Sequence, residues 1–326
     1  MSVKTIDGLM RHLRNSGIDI NGSKQKQQLR NVGYFHGYKG YRFFKNSARR
    51  LPFVTFSEIY ATIQYDTKLK VLFYDKVMLI ETAVKNIALE CILDEIHSWN
   101  IQDMYSKIVT GYNNMPVGSS PEQRKKAQQS KLNLQGMIHS YIIKGYRNGN
   151  PQITHFYNNI NYGEVPLWAL FEVIMLGDFG FLLSCLTYDM RDKISKKLNL
   201  NIGSDTNREL IYKFLYALKD IRNAIAHNAV VFDTRFRKIE PTKSMKRCLE
   251  QEFNLNYINF KTIDDYVILV AYYLKILGIS KKEIKIFINE FERITEGYVK
   301  AVNINVSSVV VHSKIKERME ILRQHI

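Results

Sequence analysis

The run FSEIYATIQYDTKLKVLFYDKVMLIETAVKNIALECILDEI, residues 56–96, contains neither proline nor glycine. Its apolar residues Ile59, Ile63, Leu69, Leu72, Phe73, Met78, Ile80, Val84, Ile87 and Ile92 recur mostly at intervals of three and four, the spacing that gathers side chains on one face of an α-helix. Nothing in the stretch stops a helix, so it predicts one very long helix or two nearly continuous ones. Helical periodicity returns at 3–16, 23–32, 121–147, 167–176, 188–198, 207–228, 262–277 and 280–297. Alternating segments are scarce, and the expected class is all-α.

Between the periodic stretches, TGYNNMPVGSSPEQ, NGNPQ and NIGSDTN have the Gly, Asn, Pro and Ser content of loops. In GSDTNREL, Ser204 or Asp205 offers an N-cap for the helix that follows. VNINVSSVVVH, 302–312, is rich in β-branched residues and reads as a short edge strand or an extended arm.

The chain's 326 residues, 45% of them apolar, suffice for one large domain or two modest ones. The opening MSVKTIDGLMRHLRN lacks an apolar run of signal-peptide length, and the longest greasy stretch, VPLWALFEVIMLGDFGFLLSCL, is interrupted by Glu172 and Asp178. Three widely spaced cysteines, Cys91, Cys185 and Cys248, suggest neither a disulfide framework nor a zinc site. A cytoplasmic protein without membrane partner, metal or other cofactor is expected.

The formal net charge is +16, unevenly spread. Residues 1–52 hold eleven Lys/Arg against two Asp/Glu, and residues 119–150 hold six against one. Concentrated positive charge attracts polyanions through counterion release, which points to nucleic acid.

One stretch carries chemistry: KDIRNAIAHNAVVF, 219–232. At about 100° per residue, Ile211, Phe214, Leu218, Ile221 and Ile225 form an apolar stripe. Tyr216, Asp220, Asn223 and His227 fall on the opposite side, and Arg222 sits at the margin, where its stem can snorkel outward. Histidine exchanges protons near neutral pH, arginine presents a fork of donors suited to phosphate oxygens, and asparagine can orient the imidazole. These groups are the ones needed to cleave RNA through its own 2′-hydroxyl. One histidine does not readily serve as both base and acid in a single in-line transfer, whereas two copies of the motif would. The bland alternative is a pair of surface hydrogen-bonding residues at helical spacing.

RNAIAHN resembles the Arg-x4-6-His motif of the HEPN superfamily of α-helical RNases. The surroundings resemble one branch of it, the abortive-infection (Abi-like) proteins of the AbiD/AbiF type, over roughly residues 1–235. The carriers, in order, are NVGYFHGYKGYRFF, the helix that begins VTFSEIYATIQYDTKLK, VPLWALFEVIMLGDFGFLL and ELIYKFLYALKDIRNAIAHNAVVFD. Many relatives have a second histidine directly after the motif histidine, where this chain has Asn228. The resemblance implies a HEPN-like helical bundle, phage defence, a homodimer with a composite site and metal-independent RNA cleavage. Some relatives are encoded beside a small non-coding RNA. It implies catalytic roles for Arg222, Asn223 and His227. Three segments are distinguished along the chain: a basic helical stretch at 1–52, a HEPN-like domain at 53–240 with an inserted basic helix near 121–147, and a helical extension at 241–326, to which the resemblance does not reach.

GYFHGYKGYRFFKNSARR interleaves Tyr34, Tyr38, Tyr41, Phe43 and Phe44 with Lys39, Arg42, Lys45, Arg49 and Arg50. It reads as a single-strand RNA groove, or as aromatics packed under the long helix with glycines allowing close approach. Arg124, Lys125 and Lys126 read as a solvated helix face that also assists RNA binding. His12, His36, His97, His139, His155, His312 and His325 show no ligand spacing. Glu58, Asp66 and Glu81 are too dispersed for a metal and read as ion-pair partners. Two rivals remain: a non-catalytic protein that holds a structured small RNA, and a structural dimerisation domain.

Overall fold

The computed structural model describes residues 5–158, 163–201, 203, 205–238 and 240–326. Among them are fifteen α-helices and no strand beyond isolated bridges. The helices are α1 Ile6–Asn15, α2 Gly22–Val32, α3 Phe56–Ile96, α4 Ile101–Lys107, α5 Pro121–Arg147, α6 Pro151–Asn158, α7 Leu167–Val173 and α8 Leu176–Cys185. There follow α9 Tyr188–Lys197, α10 Leu210–Ala226, α11 Lys243–Phe253, α12 Ile263–Ile276, α13 Lys281–Ala301, α14 Ile304–Val310 and α15 Ile315–Gln324. A π-helical turn, Gly33–Lys39, follows α2. The all-α class expected from periodicity is the one observed. No helix of the described residues is long and apolar enough to cross a membrane, and all three cysteines are buried thiols.

The chain forms two compact units. Unit 1 comprises the described residues of Met1–Val77, Asp220–Pro241 and Leu249–Ile326; unit 2 comprises those of Met78–Lys219 and Thr242–Cys248. Unit 1 thus draws on all three segments distinguished in the sequence.

The long periodic run is one uninterrupted helix of 41 residues. Its start is fixed by a capping box: Glu58 N donates to Thr55 Oγ1 at 3.3 Å, and Thr55 N donates to Glu58 Oε2 at 3.0 Å. Phe56, Ile59, Leu69, Phe73, Val77, Ile80, Val84, Ala88 and Ile92 lie buried along its length, as the spacing requires. Of the three dispersed carboxylates, Asp66 and Glu81 do pair one turn on, with Lys70 and Lys85. Glu58 instead serves backbone groups.

That service explains a misreading. Residues 302–312 are not a strand: Ile304–Val310 is helix α14. Asn303 caps it, its Oδ1 accepting from Val306 N at 3.1 Å, and Asn303 itself is held by Glu58, whose Oε1 accepts from Asn303 N at 3.0 Å and from its side-chain amide. With Val306 and Val310 buried, cap and burial outweigh the β-branched composition.

Burial pushes the Glu58 carboxyl up, and the N–H groups of Thr55, Val54 and Asn303 pull it down further, so it sits below its ordinary value. A depressed carboxyl contributes stability that is present above its unfolded pKa, about 4.3, and is lost as pH falls through the folded value. Thermal unfolding across about pH 3 to 7 should show wild type losing its advantage over Glu58→Gln as acidity rises below that unfolded value. Parallel curves would contradict this account.

Within unit 1, α12 is buried at every residue from Ile263 to Leu274. Its first turn holds Asp264 and Asp265, both bound by Arg318 of α15. Tyr65 of α3 stacks on Tyr298 of α13 with ring centroids 4.4 Å apart. In unit 2, α5 opens with a capping box between Ser120 and Gln123 and with Pro121 in its first turn. Helix α10 begins at Leu210, so Asp205 is not its N-cap residue, but its carboxylate serves that end of the helix, accepting from Glu209 N and Leu210 N at 2.9 Å each; Ser204 lies outside the described residues. Helices α4, α6 and α8 were not foreseen, and α6 begins in a segment that reads as loop; α11 and α15 fall in residues 241–326, read as a helical extension without individual helix bounds.

Candidate active site

Helix α10 reaches the motif with Ile211, Phe214, Leu218 and Ile221 fully buried. It ends at Ala226, two residues earlier than the periodicity suggested. Asn228 N donates to Ile225 O at 3.0 Å and Ala229 N to Ala224 O at 2.8 Å, the paired bonds of a Schellman stop. The residue that turns the chain is Asn228, with φ of 51°. Asparagine tolerates the left-handed region better than other side-chain-bearing residues, so it suits the position.

His227 therefore stands in the closing turn, exposed, its backbone N–H bonded to Asn223 O at 3.0 Å. Its imidazole makes no hydrogen bond among the described residues. Arg222 and Asn223 are half-buried, and Arg222 Nη1 donates to Asn223 Oδ1 at 3.3 Å. Asp220, expected on the outward face, is instead buried: Lys238 N donates to its Oδ2 at 2.9 Å. The chain after the motif folds back over that side, a tertiary event that helical spacing does not encode.

Asp66 of α3, fully buried, organises that returning chain. Its Oδ1 accepts from Val231 N at 2.7 Å and Phe232 N at 2.8 Å. Its Oδ2 accepts from Tyr41 Oη at 2.7 Å and from Lys70 Nζ at 2.8 Å. Lys70 Nζ also donates to Asn228 Oδ1 at 2.8 Å, and Asn228 Nδ2 lies 3.1 Å from His36 Nε2. The ring of His36 meets Tyr41 edge-on, centroids 6.4 Å apart, which closes the circuit. Burial, and then the Asp66 carboxylate, raise the Tyr41 phenol above its usual range, so it stays a donor. A second clamp follows: Arg235 pairs with Asp233 and donates to Gly40 O at 2.8 Å and Phe43 O at 2.6 Å. The motif turn is thus braced from both sides.

A family model described as Abi-like protein matches residues 27–233, well over half of the chain. The chain belongs to the Abi-like family. No curated protein and no solved structure matches it. Membership supports a role in abortive infection, a defence against phage. The Abi-like match takes in the aromatic and basic segment, α3, the motif and Asp233, so every residue of the Asp66 circuit lies inside it.

The aromatics of that segment divide. Tyr38, Tyr41 and Phe44 are buried, as the packing alternative had it, whereas Phe35 is 74% exposed and Tyr34 and Phe43 are half-buried. Lys39 Nζ sits 4.7 Å from the Phe35 ring, and Arg42 stacks 4.4 Å from that of Phe43. Lys45 is drawn inward, donating to Lys261 O at 2.7 Å, and burial lowers its pKa. Arg49 and Arg50 are exposed on the turn spanning 42–51. In unit 2, Arg124 is occupied with the carbonyls of Tyr112, Pro116 and Ser119, leaving Lys125 and Lys126 as the exposed cations there.

Beside the motif, unit 1 carries a groove of about 1150 Å³ between α3, the end of α10 and α13. Ile225 and Ala226 line it together with Val71, Tyr74 and Ile286, the last three 70%, 56% and 56% exposed. Among the described residues no three His, Cys, Asp or Glu side chains gather as a metal site.

What the sequence reading missed here is the supporting circuit. The Asp66–Lys70 pair is one helical turn apart and was open to inspection; its partners Tyr41, Asn228 and His36 come from distant segments.

Proposed function

We propose that this Abi-like protein is a HEPN-type endoribonuclease that cleaves RNA through its 2′-hydroxyl without a metal, acting in phage defence. The observation that carries the reading is the exposed imidazole of His227, without a side-chain hydrogen bond among the described residues, on a turn braced by a buried circuit, with Arg222 and Asn223 one helical turn behind it. A reactive group on a rigid support is what catalysis asks of a scaffold. In the proposed step, an imidazole takes the 2′-hydroxyl proton, the 2′-oxygen bonds to phosphorus, and the bond to the 5′-oxygen breaks. The leaving 5′-oxygen receives a proton from a second imidazole, and Arg222 offsets the charge that develops on the phosphoryl oxygens.

We place a homodimer across this face, with Arg222 and His227 of both protomers lining one basic cleft. The exposed Val71, Tyr74 and Ile286 beside Ile225 give it an apolar margin that a second copy would cover. Lys39, Arg42, Lys45, Arg49, Arg50, Lys125 and Lys126 are proposed to contact RNA, with Phe35 available for base stacking. Arg124 would act by shaping its loop.

The reading is tested with paired oligonucleotides of one sequence, one RNA and one fully 2′-deoxy. Cleavage of the RNA alone, with both retained in a salt-sensitive manner, is expected. Retention of RNA with no cleavage would favour the rival, a protein that holds a structured RNA. Equal cleavage of the deoxy strand would exclude the 2′-hydroxyl as nucleophile.

A further inference from the structure

In-line transfer calls for a base and an acid, and the proposed second copy is only one source of a second imidazole. We propose that His36 is a second imidazole of the same protomer's site, acting as the base while His227 acts as the acid; this rests on the ribonuclease reading above.

The geometry carries it. Lys70 Nζ has only donors, so the Asn228 side-chain atom 2.8 Å away is the oxygen. The amide nitrogen of Asn228 must then face His36 Nε2 at 3.1 Å and donate to it. A ring nitrogen that accepts holds a lone pair, so resting His36 is the neutral tautomer with its proton on Nδ1. That is the state a general base needs, and Asn228, which selects it, is the residue next to His227. The ring is exposed and steered by its edge contact with Tyr41, whose hydroxyl meets the same Asp66 carboxylate that holds Lys70.

The segment that presents His36 is built for the purpose. It is the π-helical turn, a geometry frequent at functional sites. Gly33 opens it at φ of 76°, and a Cβ on Gly37 would lie 2.6 Å from Val32 Cγ2, so a side chain at either position would strain the turn that carries His36.

In the step proposed, the 2′-hydroxyl displaces the Asn228 amide and gives its proton to His36 Nε2. The 2′-oxygen–phosphorus bond forms and the phosphorus–5′-oxygen bond breaks. The 5′-oxygen takes a proton from the His227 imidazolium, and the two rings regain their starting states through water. No oxidant or reductant is involved.

The test compares full-length wild type, His36→Ala, His36→Gln and His227→Ala on labelled single-stranded RNA in single-turnover reactions with EDTA, with and without added imidazole. His36→Ala should slow cleavage on the order of 100-fold. His36→Gln, which keeps an acceptor for Asn228, should be equally slow. Imidazole should restore part of the rate to His36→Ala and none to His36→Gln, whose side chain fills the space.

Wild-type rates in His36→Ala beside an inactive His227→Ala would overturn the assignment and leave the ribonuclease reading standing. Wild-type rates in His36→Gln alone would reduce His36 to a prop for Asn228 and overturn it as well. Should wild type itself fail to cleave, the ribonuclease reading falls and the assignment with it. Thermal unfolding of the variants separates loss of fold from loss of chemistry.

Discussion

His227→Ala should lower RNA cleavage at least about 100-fold, since removal of a general acid or base costs on the order of 10² to 10⁴. It should do so without harming the fold. The imidazole is exposed and makes no side-chain hydrogen bond among the described residues, and surface truncations of that kind shift stability by only about 0.5 kcal/mol. The Schellman stop depends on backbone groups and on Asn228, so the turn keeps its shape. RNA affinity should stay within a few-fold, because phosphate contacts rest on Lys and Arg elsewhere. Gel assays of cleavage and retention with one preparation check both halves; a fully active variant would remove His227 from the mechanism.

Asp66→Ala should do the opposite, lowering activity through loss of structure. The carboxylate is fully buried and accepts four hydrogen bonds. Its removal strands two backbone N–H groups, a phenol and the Lys70 ammonium. Breaking a buried ion pair costs about 3 to 5 kcal/mol, and each stranded donor adds on the order of 1 kcal/mol or more. A loss of at least about 4 kcal/mol is expected, a large part of the ~5 to 15 kcal/mol that holds a domain folded. Asp66→Asn, which keeps one acceptor oxygen but turns a donor toward Lys70 or the backbone, should fall between. Urea unfolding with a probe in unit 1 measures this, and an unchanged midpoint for Asp66→Ala would show that the circuit does not brace the turn.

Much of this was legible in the sequence because it is periodic or local. The 41-residue helix, the apolar stripe of α10 through Ile221 and the Asp205 carboxylate at the start of α10 follow from spacing and residue type. The all-α class follows from the same pattern. Two errors have one cause. Asp220 was set on the outward face, and residues 302–312 were read as extended, because each is decided by a distant partner: the returning chain at Lys238 in one case, Glu58 at 245 positions' remove in the other.

The candidate site divides the same way. Arg222, Asn223 and His227 could be picked from one short motif, since chemistry-bearing residues at helical spacing share a face. The contact between His36 and Asn228 spans 192 positions, and nothing local marks it apart from the glycines that shape the π-helical turn. His36 shows no ligand spacing, a criterion suited to metals and blind to an imidazole delivered by folding.

The account turns on the chemistry at the ends of the RNA. Purified wild-type protein is incubated with labelled single-stranded RNA in EDTA, and the new termini are identified. A 2′,3′-cyclic phosphate paired with a 5′-hydroxyl is the expected result, since it arises only when the 2′-oxygen is the nucleophile. A 3′-hydroxyl paired with a 5′-phosphate, or cleavage that appears only when a divalent cation is restored, would contradict it.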